Sequence, residues 1–471
     1  MKRREFLSRA AGAALVAGFP TILPALGQQR RPNIVYFMTD DQAWHAMSCA
    51  GSKVIKTPNM DRIANEGVMF TNAFVTNSLC QPSRATCLTG KYSHTTGVRT
   101  NGGRVPPDRV AFAGRAFTDY LHDAGYHTCF IGKYHMRGKP AYFDIWMGFQ
   151  SQGRYYDPKL LDFNGKLVQE RGHVTDKLGD RAVAYLREHR KDPFCLLLWF
   201  KSPHRDWRPA ERFKDALKDV DIPLPPTFND DMAHGYPGRP DVIRRTEMQV
   251  EIAKRAPDGG LMPFKEWVKD YYRCLLGVDE NIGRVLETLD ELKLTENTIV
   301  LHTSDNGFFL GEHHFFDKRL MYEPSIRIPM LLRYPALVER GGRKIEEMVL
   351  NIDIAPTLLD LAGLPVPQDM HGVSWRPLLE GKPVKWREDF LYEYFEGPPA
   401  VHKVAPHRGV RTKRWKYIEY FKDNEYELYD LQNDPHEMNN LYGKPEYRAI
   451  VEQLRKRLIE LRRETHDPDL T

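Results

Sequence analysis

The chain has 471 residues, too many for one small core and enough for a large α/β domain with a smaller companion. Lys and Arg total 68 against 63 Asp and Glu, and the amino-terminal cations Lys2, Arg3, Arg4 and Arg9 face only Glu5, so the remainder is near neutral and gives no ground for nucleic-acid binding. Six cysteines exclude a disulfide scaffold at this length, and no Cys-x-x-Cys pair marks a zinc site.

The chain begins with Arg3-Arg4-Glu5-Phe6-Leu7 and an apolar run from Ala10 to Phe19. This pattern is similar to a twin-arginine export signal. The run is too short to span a bilayer, Pro20 and Pro24 break the residues after it, and Ala25-Leu26-Gly27 supplies small residues suited to cleavage. The expectation is a removed signal over residues 1–27, a twin-arginine translocase as partner and a periplasmic destination, with a retained membrane tether as the alternative.

Beyond it, short apolar runs alternate with helical patterns. Strands are predicted over Asn33 to Thr39, His127 to Ile131, Phe194 to Phe200, Thr298 to Thr303 and Pro329 to Tyr334. Helices are predicted over Ala116 to Ala124, Asp176 to His189 and Tyr271 to Leu292. The alternation predicts an α/β fold, a large and mostly parallel sheet sandwiched by helices. Cys129 and Cys195 fall inside apolar strands and read as small buried hydrophobes. Asp219 to Gly260, rich in proline and charge, reads as a long surface excursion. After about Pro383, alternating aromatic runs over Arg411 to Phe421 and Tyr426 to Asp430 predict antiparallel strands. Val451, Leu454, Leu458 and Leu461 recur at helical spacing in a closing helix whose basic residues face solvent. The expected division is residues 31–382 for the large α/β domain and 383–471 for a smaller C-terminal α+β subdomain built on an antiparallel sheet.

Chemistry collects just past the predicted strand ends, where open α/β sheets bind their ligands. Asp40 and Asp41 come directly after the first strand, and Asp305 and Asn306 after the strand ending at Thr303. Acidic groups converging on one edge repel each other unless a hard cation sits between them, so these donors predict a divalent-cation site, calcium before magnesium. Lys133 and His135 come after the strand ending at Ile131, His204 after the one ending at Phe200, and Lys318 closes the run from Gly311. Taken singly, a Lys-x-His pair is a loop feature and His204 a structural histidine; their common placement after strands gives them weight. His313 and His314 are candidates for a pocket rim. Trp207, His402, His407 and Arg408 have the reach to approach it but read first as packing and surface residues.

The run Cys80-Gln81-Pro82-Ser83-Arg84-Ala85-Thr86-Cys87-Leu88-Thr89-Gly90-Lys91 resembles the signature of the type I sulfatases of the alkaline phosphatase superfamily, in which the cysteine of a Cys-x-Pro-x-Arg core becomes formylglycine. The resemblance extends from Pro32 to about Leu441, through Gly125-Tyr126-His127-Thr128, Gly132-Lys133-Tyr134-His135, Asn351 to Leu359 and Leu428-Tyr429-Asp430. It implies that Asp40, Asp41, Asp305 and Asn306 hold the cation together with modified Cys80. It further implies that Arg84 and His135 hold the formylglycine hydrate, that Lys133 and Lys318 balance charge on the sulfuryl oxygens, and that His204 protonates the leaving oxygen. A formylglycine-generating enzyme is implied as a processing partner, and a sulfated glycan or small sulfate ester as substrate. The layout is most similar to bacterial glycan sulfatases, including N-acetylglucosamine-6-sulfatases. The alternatives are a sulfatase of choline or aryl sulfates, a phosphate or phosphonate ester hydrolase of the same superfamily, and a sugar-binding relative without catalysis. The phosphate ester reading calls for a Ser or Thr nucleophile and further His ligands; the sugar-binding one calls for loss of Lys133, His204 or Lys318.

Overall fold

The protein is described by a computed structural model over residues 31–102, 109–136, 141–149, 151–230, 238–254 and 260–470. The signal-like segment 1–27 lies outside the described residues. The main sheet contains β1 (Asn33–Thr39), β2 (Val68–Phe70), β3 (His127–Lys133), β4 (Ile145–Phe149), β5 (Phe194–Trp199), β6 (Thr298–Ser304), β7 (Met330–Arg333) and β8 (Arg343–Ile345). Their spatial order is β8-β2-β7-β6-β1-β5-β3-β4. Parallel pairs join β1 to β5 and β6, and β3 to β5 and β4, while β7 runs antiparallel to both neighbours. The central strands β1, β5 and β6 are buried throughout, which is why each reads as an unbroken apolar run.

Side chains of β1 alternate between two cores. Ile34, Tyr36 and Met38 face the layer that holds α2 (Cys80–Thr89), α3 (Phe117–Asp123) and α6 (Ile354–Leu361), whereas Val35 and Phe37 face α1 (Pro58–Asn65), α4 (Val174–His189) and α5 (Phe264–Glu291). Helix α5 begins at Phe264 rather than at Tyr271 because Phe264, Trp267 and Val268 continue its buried stripe. Strands β2 and β8, three residues each, are too brief to carry a periodic signal, and β4, at the edge of the sheet, also escaped prediction.

The C-terminal sheet is antiparallel in chain order, β9 (Asp389–Tyr394), β10 (His407–Thr412), β11 (Trp415–Tyr420) and β12 (Glu425–Asp430), and leads into α7 (Arg448–Glu464). The run predicted from Arg411 to Phe421 is therefore two strands. The turn at Lys413-Arg414 has no glycine or asparagine; the Thr412 hydroxyl makes it by accepting the backbone N–H groups of Arg414 (3.2 Å) and Trp415 (2.8 Å). The predicted surface excursion also differs, since Ile222, Arg239, Val242, Ile243 and Met248 are buried. Arg239 donates to the Tyr322 (2.7 Å) and Tyr429 (3.2 Å) hydroxyls, tying this segment to β12. Cys129 and Cys195 are buried free thiols as expected. Among the described residues no helix is long and apolar enough to cross a membrane.

Candidate active site

Strands β1 and β6 are paired in register through Thr39 and Ser304, so Asp40 and Asp305 leave adjacent strands at one level. The Asp305 N–H donates to the Thr39 carbonyl (3.1 Å), and the Asp41 N–H donates to Asp305 Oδ1 (3.1 Å). The Asp40 N–H donates to Ser202 O at 3.2 Å, which draws in the loop after β5. Asp41 sits in the left-handed region, φ 70°, where a short polar side chain is tolerated.

Cys80 is the first residue of α2, a helix buried at every position. Its Sγ lies 3.6 Å from Asp40 Oδ1. One turn on, Arg84 shares the face of Cys80. Arg84 Nε donates to Asp305 Oδ2 (2.9 Å), Nη2 pairs with Asp40 (3.2 Å) and Asp305 (2.8 Å), and Nη1 donates to the Lys133 carbonyl. All three guanidinium nitrogens thus orient the carboxylates and the end of β3. Asn351, in the segment leading into α6, fixes α2 by donating to the Ser83 (3.0 Å) and Thr86 (2.7 Å) hydroxyls.

Cations and imidazoles close the remaining sides. Lys133 Nζ donates to Asp40 and to Gln152 Oε1 (2.5 Å), and Lys318 Nζ donates to both oxygens of Asp41 (2.6 and 2.7 Å). His204 Nδ1 donates to the Arg205 carbonyl (2.5 Å), which turns Nε2 to 3.9 Å from Asp41 Oδ2. His135 Nε2 meets Gln152 Nε2 at 3.2 Å, and its buried Nδ1 has no hydrogen-bond partner. Burial and the nearby Lys133 ammonium push both histidines well below the ordinary imidazole value. Burial pushes Asp40 upward, but Lys133, His204 and Arg84 outweigh it and hold the carboxyl well below the usual range. Burial raises Asp41 against the pull of Lys318, and burial with the charge of Asp40 raises Asp305 to about 6.

The site fits a divalent cation. Ligand atoms of Asp40, Asp41, Cys80 and Asp305 lie within 4.8 Å of one another, the spread of an oxygen cage whose ligands stand about 2.4 Å from a central ion. Asn306 Nδ2 donates to Asp41 Oδ1 (2.6 Å), while the buried Asn306 Oδ1 has no partner, an acceptor that a cation would satisfy. The five predicted ligand positions and the cations Arg84, Lys133 and Lys318 therefore converge, with His135 and His204 beside them.

Other predicted positions lie elsewhere. His313 bonds to buried Asp230 (2.5 Å) and His314 to Glu251 (2.6 Å), and neither bonds to a member of the acidic cluster. Trp207 packs on Trp267, Tyr271 and Phe308, and His407 lies between Tyr392, Tyr394 and Tyr420. Arg408 pairs with Glu419 at 3.2 Å. His402 alone of that group reaches the site's edge, 3.2 Å from Asp317. Sequence reasoning missed Gln152, which lies in a loop without a motif. It also missed Lys201, a buried lysine over the Tyr155 ring (4.7 Å) with no carboxylate partner among the described residues.

Residues 32–364 match the family described as Sulfatase, and residues 311–464 match N-sulphoglucosamine sulphohydrolase, C-terminal. The chain belongs to the sulfatase family and is a sulfuric ester hydrolase. It is 38% identical to an N-acetylglucosamine-6-O-sulfatase of Bacteroides thetaiotaomicron over 95% of this chain and 89% of the relative. An ulvan-active sulfatase of Formosa agariphila is 29% identical over 92% of this chain and 82% of its own length. A solved structure described as a complex with its substrate D-glucosamine-2-N,6-O-disulfate is similar at a TM-score of 0.86 and 37% identity, covering 93% of this chain and 99% of that one. Sulfatases generally use a metal ion and formylglycine, and the acidic cluster has the donors for such an ion.

Proposed function

We propose that this sulfatase removes the 6-O-sulfate of glucosamine residues in glycosaminoglycan-like glycans, using formylglycine made from Cys80 and a calcium ion, and that it works in the periplasm. The observation that carries the reading is the closure of Asp40, Asp41, Asp305, Lys133 and Lys318 around Cys80 at the start of α2. Likeness to the N-acetylglucosamine-6-O-sulfatase and to the disulfate complex supports the sugar, the all-oxygen donors support calcium, and the arginine pair with its apolar run supports export.

The Cys80 sulfur stands in for an oxygen of the formylglycine hydrate. Asp40, Asp41, Asp305 and Asn306 would hold the cation, whose charge polarises a sulfate oxygen and lowers the pKa of a nearby hydroxyl. Arg84 keeps Asp40 and Asp305 aimed at one point. Lys133 and Lys318, both buried, offset the charge on the sulfuryl oxygens as the ester bond lengthens. His204, oriented through Nδ1, turns Nε2 toward the leaving sugar oxygen, and the negative charge of a bound sulfate ester would favour the protonated ring that can deliver a proton there. With formylglycine at position 80, its hydrate would supply the oxygen that bonds to sulfur as the sugar oxygen leaves, and His135 would take the proton of the second hydroxyl, so that sulfate could depart with the electron pair of its C–O bond as the aldehyde re-forms.

The test is sulfate release from N-acetylglucosamine 6-sulfate beside an aryl sulfate, using protein made with a formylglycine-generating enzyme and a Cys80→Ala control. Turnover of the sugar, abolished in the control, is expected. Turnover of the aryl ester alone would keep the mechanism and discard the substrate.

A further inference from the structure

Beyond the sulfate-facing groups, a second charged assembly adjoins the site. Asp317 is buried, precedes Lys318, and accepts from Arg319 while pairing with Arg205 (3.1 Å) and with His402 Nε2 (3.2 Å). Arg205 is next to His204 in the chain, so this assembly is joined through the backbone to two residues of the sulfate site. His402 comes from the C-terminal part of the chain and is locked by a reciprocal pair of bonds: its Nδ1 donates to the Glu247 carbonyl (2.8 Å), and the Glu247 N–H donates to the His402 carbonyl (2.8 Å).

Arg205 stands apart from the rest. Its Nη2 bonds to His402 Nε2 (2.6 Å) and its guanidinium lies over the Phe316 ring (5.0 Å), yet the side chain is 27% exposed. Among the described residues, Nε and Nη1 donate to no protein group. Arg205 and Arg319 share the carboxylate of Asp317, but Arg319 also faces Glu396 (3.8 Å) and Lys318 is committed to Asp41, so Arg205 has only the shared carboxylate. A purely structural arginine would use its fork on protein acceptors. Here Nη2 is fixed while Nε and Nη1 of the part-exposed side chain are each left to donate a charged hydrogen bond to an anion.

We propose that Arg205, held by Asp317 and His402, recognises a second anionic substituent on the sulfated sugar, so that the enzyme prefers doubly anionic substrates. The substituent is a sulfamate on the same glucosamine or the carboxylate of a neighbouring uronate. Asp317 and His402 act as positioning residues. The inference rests on the proposed 6-O-sulfatase reading and deepens it.

The experiment compares kcat/KM for glucosamine 2-N,6-O-disulfate, for N-acetylglucosamine 6-sulfate, and for a uronate-containing disaccharide with the same N-acetylated 6-sulfate, in the wild type, Arg205→Gln and Arg205→Lys. Calorimetric binding of the three sugars to Cys80→Ala, with and without Arg205→Gln, gives a readout independent of turnover. The wild type should favour one of the doubly anionic sugars, and which one identifies the substituent. Arg205→Gln should reduce that preference about tenfold to a hundredfold, the worth of a charged hydrogen bond, and Arg205→Lys should retain part of it. An unchanged ratio in Arg205→Gln, or no preference in the wild type, overturns the proposal while leaving the 6-O-sulfatase reading intact. Failure of all three sugars in both turnover and binding overturns that reading and the proposal with it.

Discussion

Arg84 and Lys201 show how differently buried cations behave in one site. Arg84 has carboxylates on both sides, so its removal strands Asp40 and Asp305 without their common donor. Arg84→Lys keeps the charge but cannot reach both acids and the Lys133 carbonyl together. It should lower stability by about 2 kcal/mol and turnover by about a hundredfold, read by urea unfolding and sulfate release. Lys201 is only 4% exposed and lacks a carboxylate partner among the described residues. Burial, with Lys133 nearby, lowers its ammonium to about 8 from 10.5. The folded state therefore resists the charged form: the cost is fully present below about pH 8 and is relieved as pH rises from there to 10.5. Lys201→Met should stabilise the protein at pH 7 by about 3 kcal/mol, and no gain in urea unfolding would refute the unpaired-charge account. The positions that converge on the acidic cluster were legible because each comes just after a strand or sits in a motif. Lys201 was equally visible in Lys201-Ser202-Pro203-His204, but only burial and the missing partner single it out.

Elements are joined by a few buried polar ties, and one is pH-sensitive. His94 lies just beyond α2; its Nδ1 faces Glu393 of β9 (2.7 Å) and its Nε2 faces the carbonyl of Thr465 at the end of α7 (2.9 Å). Tyr92 stacks on the ring at 5.6 Å and His371 approaches at 6.0 Å. Burial opposes the charged ring, but Glu393, Thr465 and Asp467 outweigh it and hold its pKa above the ordinary value. A raised folded pKa means stability fully present below about pH 6.5 and lost as pH rises through the folded value. The melting temperature of the wild type should fall over that interval, and His94→Gln should flatten the fall; identical slopes would remove His94 as the cause. The long buried strands and amphipathic helices were readable from periodicity. Strand β9 was not, and neither was the Lys413-Arg414 turn, because a threonine hydroxyl takes the part usually signalled by glycine.

At the scale of the whole molecule, the main sheet and the C-terminal sheet share one core. Phe74 stacks on Phe390 (5.3 Å), the Tyr392 hydroxyl accepts from the Ser78 N–H (3.1 Å) and donates to the Arg319 carbonyl (2.6 Å), and Lys416 pairs with Glu323 (3.0 Å). A chain ending at Lys382 would expose that apolar face and strand those groups. It should be insoluble or molten when expressed, as circular dichroism and dye binding would report; a cooperative melt would show instead that the large part folds alone. The change of pattern near Pro383 marked a second sheet in the sequence, but the shared core depends on contacts between residues hundreds of positions apart, which no local pattern encodes.

The complete burial of α2 also sets an order of events in time. Any enzyme that rewrites Cys80 must grip an extended segment around it, and in the finished protein that segment is coiled, enclosed and pinned by Asn351. On the proposed conversion of Cys80, maturation would be a race between the modifying enzyme and the closing of the fold: chains that close first would keep their thiol, and late addition of the modifying enzyme should leave them inactive until they are unfolded and allowed to begin again.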